Sequence, residues 1–297
     1  MSPVALVHTE KRKQLAHLAP VDAQAKLIDM WLYGKSKNTQ ESYRLNATRF
    51  LAFVAKPLAQ VSIEDLYDFA KHLDESDLSP NAQKTALSVV KSLLSFAHKI
   101  GFVAFNVGAA LTLTKTPDTL NERLLSEVDV AIMIRLEPNV RNRCLLRLLY
   151  GAGLRASEVC NLKWKNLATR GDAGQVTVLG GKGNKSRSIL LPKILWDDLM
   201  SLRGSALDSD PVFKSRKKGG HIQRQNLQPI IKKAAARAGL SDKVSAHWLR
   251  HAHASHALER GANIGLVQET LGHDNVSTTS RYLHARPNDS SAMYLPL

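Results

Sequence analysis

Six side chains in the second half of the sequence could act on a ligand, and each falls at a predicted element boundary or on an exposed helical face: Arg155, Lys182, His247, Arg250, His273 and Tyr282. Arg155 follows GAGL and opens a helix, where backbone N–H groups also point, so its guanidinium suits a phosphate. Lys182 lies in GGKGNKSR between two short extended runs. Its flanking glycines let the loop approach a backbone closely, and the GxxxxGK[ST] spacing of a nucleotide loop is absent. His247 and Arg250 are three residues apart and share one helical face, with His251 on the same side. Histidines at i and i+4 can chelate a metal. Here no glutamate follows His247 and no acid or cysteine supplies a third ligand, so no metal is expected. His273 follows Gly272, which should end a helix opening near Asn263 and hold the histidine on a rigid corner. Tyr282 falls on the second turn of a helix expected from Ser277. Taken singly, each has a plainer reading: a surface arginine, a solvated hairpin tip, a tyrosine packed in a core. The ordered set within one basic half of the chain is the stronger signal, and phosphate is the ligand it suits.

The elements that must position these residues are mostly helical. From Ala23 to about Ala110 the apolar spacing is helical throughout. In TQESYRLNATRFLAFV it puts Tyr43, Ala47, Phe50, Leu51 and Val54 on one face. Ser62 with Asp65 has the spacing of a capping box, and Ser79 before Pro80 marks another helix start, ended at Gly101. NVGAAL adds a short helix, which makes a bundle of four or five. TLTKTPDTLNER lacks periodicity and reads as a linker. Beyond it, Ser126 and Asp129 repeat the capping box. RNRCLLRLLYGAG is an amphipathic helix broken at Gly151 and Gly153, and LRASEVCNLKW is a short helix. QVTVLGGKGNKSRSILLP switches to period two around a Gly-rich turn, as a β-hairpin does. A helix capped by Ser245 and ended by Gly261 carries His247 and Arg250. The expected fold class is mainly α with a small β-sheet.

Lysine and arginine total 41 against 26 acidic residues in 297, a net charge of +15. The excess is lopsided: residues 1–119 hold 14 basic and 11 acidic side chains, and residues 120–297 hold 27 and 15. A basic surface of this size suits a polyanion, nucleic acid above all, although a cationic surface can also serve solubility alone. Hydrophobic residues make up 44%, ordinary for a globular chain. No apolar run reaches the ~20 residues of a membrane span, and the N-terminus lacks a signal-peptide profile, so the cytoplasm is the expected compartment and no membrane partner is expected. Cys144 and Cys160 sit in apolar helical patterns and read as buried free thiols.

The segments GAGLRASEVCNLKW, GKGNKSR, HWLRHAHASHALERGANIGLVQETLGH and STTSRYLH resemble, in that order, the successive boxes of the tyrosine recombinases, the phage integrase and Xer family. The resemblance covers about residues 25–285. It implies a helical SAM-like core-binding domain followed by a mixed α/β catalytic domain. The resulting expectation is an arm over 1–22, a core-binding domain over 23–112, a linker over 113–122, a catalytic domain over 123–286 and a tail over 287–297. It also implies cleavage and rejoining of DNA without metal or other cofactor. In this scheme Tyr282 is the nucleophile and forms a 3′-phosphotyrosyl bond. Arg155 and Arg250 grip the non-bridging oxygens, His247 is the general base, Lys182 protonates the leaving 5′-oxygen, and His273 hydrogen-bonds the phosphate. His253 and His256 are expected to face helix neighbours or solvent.

Expected partners are double-stranded DNA, three further copies of the chain in a tetramer on two duplexes, and accessory proteins. Contacts to DNA are expected from Lys37, Thr39 and Arg44, and from Lys217, Lys218, Gln223 and Arg224 before or at the start of a helix that could enter the major groove. Each of these could equally be a solvated basic face. Two rival functions remain open at this point. One is nicking and closing by a type IB topoisomerase, and the other is a DNA-binding regulator without catalysis.

Overall fold

A computed structural model describes residues 20–113, 124–179, 186–215, 219–273, 275 and 279. The chain falls into two compact units, Met1–Pro117 and Asp118–Leu297. In the first, an apolar stripe on each of four helices closes a core: α1 Pro20–Leu32, α2 Lys37–Val54, α3 Ile63–Asp74 and α4 Pro80–Lys99. Ala47 and Phe50 of α2 are fully buried against Leu66 and Phe69 of α3 and Val90 and Leu93 of α4, while Tyr43, Leu51 and Val54 pack at the edge. The local signals read from the sequence operate here. Ser62 Oγ accepts from the Asp65 N–H while the Asp65 carboxylate accepts from the Ser62 N–H, a complete capping box, and Ser79 caps α4 with Pro80 at its first position. One boundary differs. The arm was expected through residue 22, yet α1 opens at Pro20, because proline fixes φ near the helical value and loses no needed donor in a first turn.

In the second unit, α5 Glu127–Arg135 starts on the Ser126–Asp129 capping box, and α6 Val140–Gly151 supplies a fully buried stripe that includes Cys144, Leu145, Leu148 and Leu149. The two cysteines are free and buried, and burial pushes the Cys144 thiol up to about 12. A short α7, Ala156–Cys160, leads into a three-stranded antiparallel sheet of β1 Leu167–Arg170, β2 Ala173–Val178 and β3 Arg187–Leu191, in the order β1-β2-β3. The hairpin read from period two is β2–β3, with Val176 opposite Ile189. Strand β1 was not foreseen, because only Leu167 of its four residues is buried and no alternation marks it. The inward residues of β2 rest on α8, Lys193–Arg203. A Cβ at Gly174 would stand 2.0 Å from the Trp196 ring, so glycine is required for that contact.

Three further helices lie among the described residues of this unit: α9 Arg224–Arg237, α10 Ala246–Glu259 and α11 Ile264–Leu271. The end of α6 lies against α10. Tyr150 Oη is 3.0 Å from His256 Nδ1, and the Tyr150 carbonyl is 2.7 Å from His253 Nδ1. His253 and His256 therefore face a helix neighbour, as expected. Arg260, just past α10, pairs with Glu127 at the start of α5 at 2.7 Å. Among the described residues no helix is long and apolar enough to cross a membrane. The expected linker beyond Leu113, the hairpin tip with Lys182, Lys217 and Lys218, Tyr282 and the tail over 287–297 all lie outside the described residues.

Candidate active site

A helix end leaves its last carbonyls without intrahelical partners, and the site is built on one such end. Gly272 caps α11 in the left-handed region at φ 64°, turning the chain toward His273. The three carbonyls at this corner each accept from a different arginine. Thr270 O takes Arg187 Nε at 2.7 Å, Leu271 O takes Arg250 Nη2 at 2.5 Å, and Gly272 O takes Arg155 Nη2 at 2.6 Å. Cations at a helix C-terminus also meet the negative end of its dipole.

Each guanidinium has a second anchor. Arg250, itself buried, reaches the Gly153 carbonyl through Nη1. Gly153 is also left-handed at φ 58°, and a Cβ there would meet Leu271 at 2.8 Å and His253 at 2.9 Å. Arg155 is the N-cap of α7 and pairs with Glu158 at 2.9 Å. Arg187 forks onto both Glu158 carboxylate oxygens at 2.9 and 2.8 Å, with both side chains nearly buried. Burial alone would push the Glu158 carboxyl up, but hydrogen bonds from Arg187 and from the Arg155 N–H reverse this and hold it at about 2. One carboxylate thus orients two arginines.

The histidines stand beside this cluster. His247 and His251 are neighbours on α10 with ring centroids 3.9 Å apart, edge to face. His273 Nδ1 is 2.9 Å from Thr279 Oγ1. Burial first, then the charges of Arg250, Arg155, His247 and Arg187, push the His273 imidazolium down to about 4, so the ring is neutral at pH 7. No three His, Cys, Asp or Glu side chains gather as a metal cluster among the described residues.

Arg155, His247, Arg250 and His273 line one open cavity of about 680 Å³, together with Arg224 and Gln228 of α9. Four of the six expected catalytic residues therefore meet in one place. Arg224, expected only to touch DNA, belongs to the same wall, while Gln223 is the N-cap residue of α9. Lys37 and Thr39 open α2 in the other unit, where Thr39 hydrogen-bonds Ser36, and Arg44 pairs with Asp29 at 2.8 Å. Sequence reasoning missed Glu158, Arg187 and Thr279. The spacing of Glu158 three residues after Arg155, at the third position of a helix start, was the one available signal. Arg187 and Thr279 gave none, since no short-range spacing ties Arg187 to Thr270 and Glu158, or Thr279 to His273.

Residues 122–289 match the phage integrase family, and residues 25–98 match the N-terminal SAM-like domain of phage integrases. The chain belongs to the phage integrase family. It is 31% identical over 289 residues to the tyrosine recombinase XerD of Rickettsia conorii, covering 89% of this chain and 94% of that protein. It is 34% identical over 263 residues to the tyrosine recombinase XerC of Xanthomonas campestris pv. campestris, covering 84% and 79%. Among solved structures, the site-specific recombinase XerH bound to its difH substrate has the same fold at TM-score 0.70 and 22% identity, over 86% of this chain and 77% of that one. This phage integrase family member is a tyrosine site-specific recombinase, and neither the topoisomerase nor the silent-regulator alternative is favoured by these relatives.

Proposed function

We propose that this recombinase cuts and rejoins DNA at the cavity shared by Arg155, His247, Arg250 and His273, with Lys182 and Tyr282 completing the set. The observation that carries the assignment is that these four side chains line one basic cavity. The Tyr282 hydroxyl attacks phosphorus, the Tyr Oη–P bond forms, and the P–O5′ bond breaks. His247 accepts the tyrosine proton and Lys182 donates a proton to the departing 5′-oxygen. Extra negative charge develops on the non-bridging oxygens in the transition state, which favours fixed guanidinium forks over flexible ammonium groups. Arg155 and Arg250 supply those forks already anchored. The 3′-phosphotyrosyl bond retains the energy of the bond broken, so the 5′-hydroxyl of a partner strand reverses the step, and one exchange leaves a Holliday junction.

The reading extends to assembly. Residues from the start of α1 to 112 serve as the core-binding domain and 123–286 as the catalytic domain, joined over 113–122, with an arm before and a tail from 287 onward. Four copies act on two duplexes in the cytoplasm, with accessory proteins as further partners. Lys37, Thr39, Arg44, Lys217, Lys218, Gln223 and Arg224 contact the duplex. The test is covalent capture on a nicked target duplex selected from genomic fragments. The parent forms a protein–DNA adduct and Tyr282→Phe forms none; an adduct that persists in the phenylalanine variant overturns the assignment. Deleting residues 288–297 should weaken pairing of two sites while leaving single-strand cleavage, and unchanged pairing in a gel assay would remove the tail from the scheme.

A further inference from the structure

His273 is held from several sides. Its N–H donates to the Gln268 carbonyl at 3.1 Å, and the Gln268 side-chain amide donates to the His273 carbonyl at 3.1 Å. Its Nδ1 is engaged by the hydroxyl of Thr279, which is fully buried. Nε2 is then the ring nitrogen left to serve the cavity that His273 borders. A neutral imidazole has one ring proton, so one nitrogen donates and the other accepts, and the partner of one nitrogen decides the state of the other. Burial first, and then the charges of Arg250, Arg155, His247 and Arg187, keep the ring neutral. A phosphate oxygen is an acceptor only. A neutral His273 can serve it in one tautomer, with the proton on Nε2, and that tautomer needs a donor facing Nδ1. A carboxylate there would hold the opposite form. A hydroxyl, which can donate, fits.

We propose that Thr279 is a positioning residue of this site, its hydroxyl donating to Nδ1 of His273 so that Nε2–H is presented to the scissile phosphate. This rests on the assignment of His273 to the phosphate given above. Thr279 stands three residues before Tyr282 in the sequence.

The experiment compares Thr279→Val, which replaces the hydroxyl by a methyl group of similar size, with Thr279→Ser, which keeps it. On a nicked duplex the valine variant should form the covalent adduct about tenfold more slowly, and the serine variant should stay within about twofold of the parent. In a His273→Ala background the valine change should cost nothing further. Imidazole ¹⁵N shifts of His273 in the full-length protein should report the Nε2-protonated tautomer in the parent and a mixture in the valine variant. A valine variant as fast as the parent, a serine variant as slow as valine, or an equal loss without His273 overturns the proposal. If His273→Ala alone cleaves at the parent rate, the phosphate role of His273 fails instead, while the ¹⁵N shifts still decide what Thr279 does to the ring. Thermal melting verifies that each variant is folded, and Thr279→Ala replaces a valine variant that is not.

Discussion

Glu158 concentrates the residue-scale energetics. Its carboxylate lies between Arg155 and Arg187 with little exposure, and removing one member of such a buried set leaves charge without a partner. Glu158→Gln should destabilise the protein by about 3–5 kcal/mol, read by urea unfolding, and should slow adduct formation because both arginines lose their orienting partner. The pH dependence has a defined sign. Glu158 is held near 2 and His273 near 4, both below their ordinary values. Depressed values give stability that is complete above the unfolded pKa and lost as pH falls through the folded one. Stability should therefore decline from about 6.5 downward through His273, and further from about 4.5 toward 2 through Glu158. Denaturant midpoints measured between pH 7 and 3 check this, and an NMR titration of His273 should show its midpoint well below the ordinary histidine value. His247-x-x-Arg250 and Gly272–His273 were legible in the sequence because each spacing is local to one helix or one cap. Glu158, Arg187 and Thr279 were not recognised, because what they do depends on partners across the fold: Arg187 meets Thr270 from 83 residues away.

At the scale of elements, caps and glycine corners decide where the side chains arrive. Ser126→Ala breaks a complete capping box and should cost about 1 kcal/mol in a denaturation midpoint without touching the site. Gly153→Ala is a different case. Its left-handed backbone and the contacts at 2.8 and 2.9 Å force Leu271 or His253 to move. That displaces the carbonyl to which Arg250 is anchored. The expected result is a loss of about 1–3 kcal/mol together with slower cleavage, so stability and activity fall in one variant. Helix starts and ends were legible because capping is a short-range pattern. Strand β1 was not, since an edge strand with one buried residue carries no period. Neither was the convergence of Gly153, Gly174 and Gly272 on their neighbours, since a glycine chosen for close approach looks the same in sequence as one chosen for a turn.

Across the whole molecule the +15 charge, weighted toward residues 120–297, predicts DNA affinity that falls steeply with salt. Arg224, on the cavity wall, is a candidate for one of the phosphate contacts. Arg224→Gln should weaken binding to unrelated sequences and lower the slope of log K against log salt by about 1, and an unchanged slope would take Arg224 off the backbone. The fold class and the two-part organisation were legible in the sequence, because periodicity and charge are summed over many residues. The corner after α11 has a further consequence for which changes the chain tolerates. The acceptors at Thr270, Leu271 and Gly272 belong to the main chain, so replacing the Thr270 side chain leaves all three in place. One residue inserted between Thr270 and His273 would instead unseat three guanidiniums at once. A library of substitutions and insertions through this stretch should therefore show an intolerance to length far sharper than any intolerance to side-chain identity at Thr270.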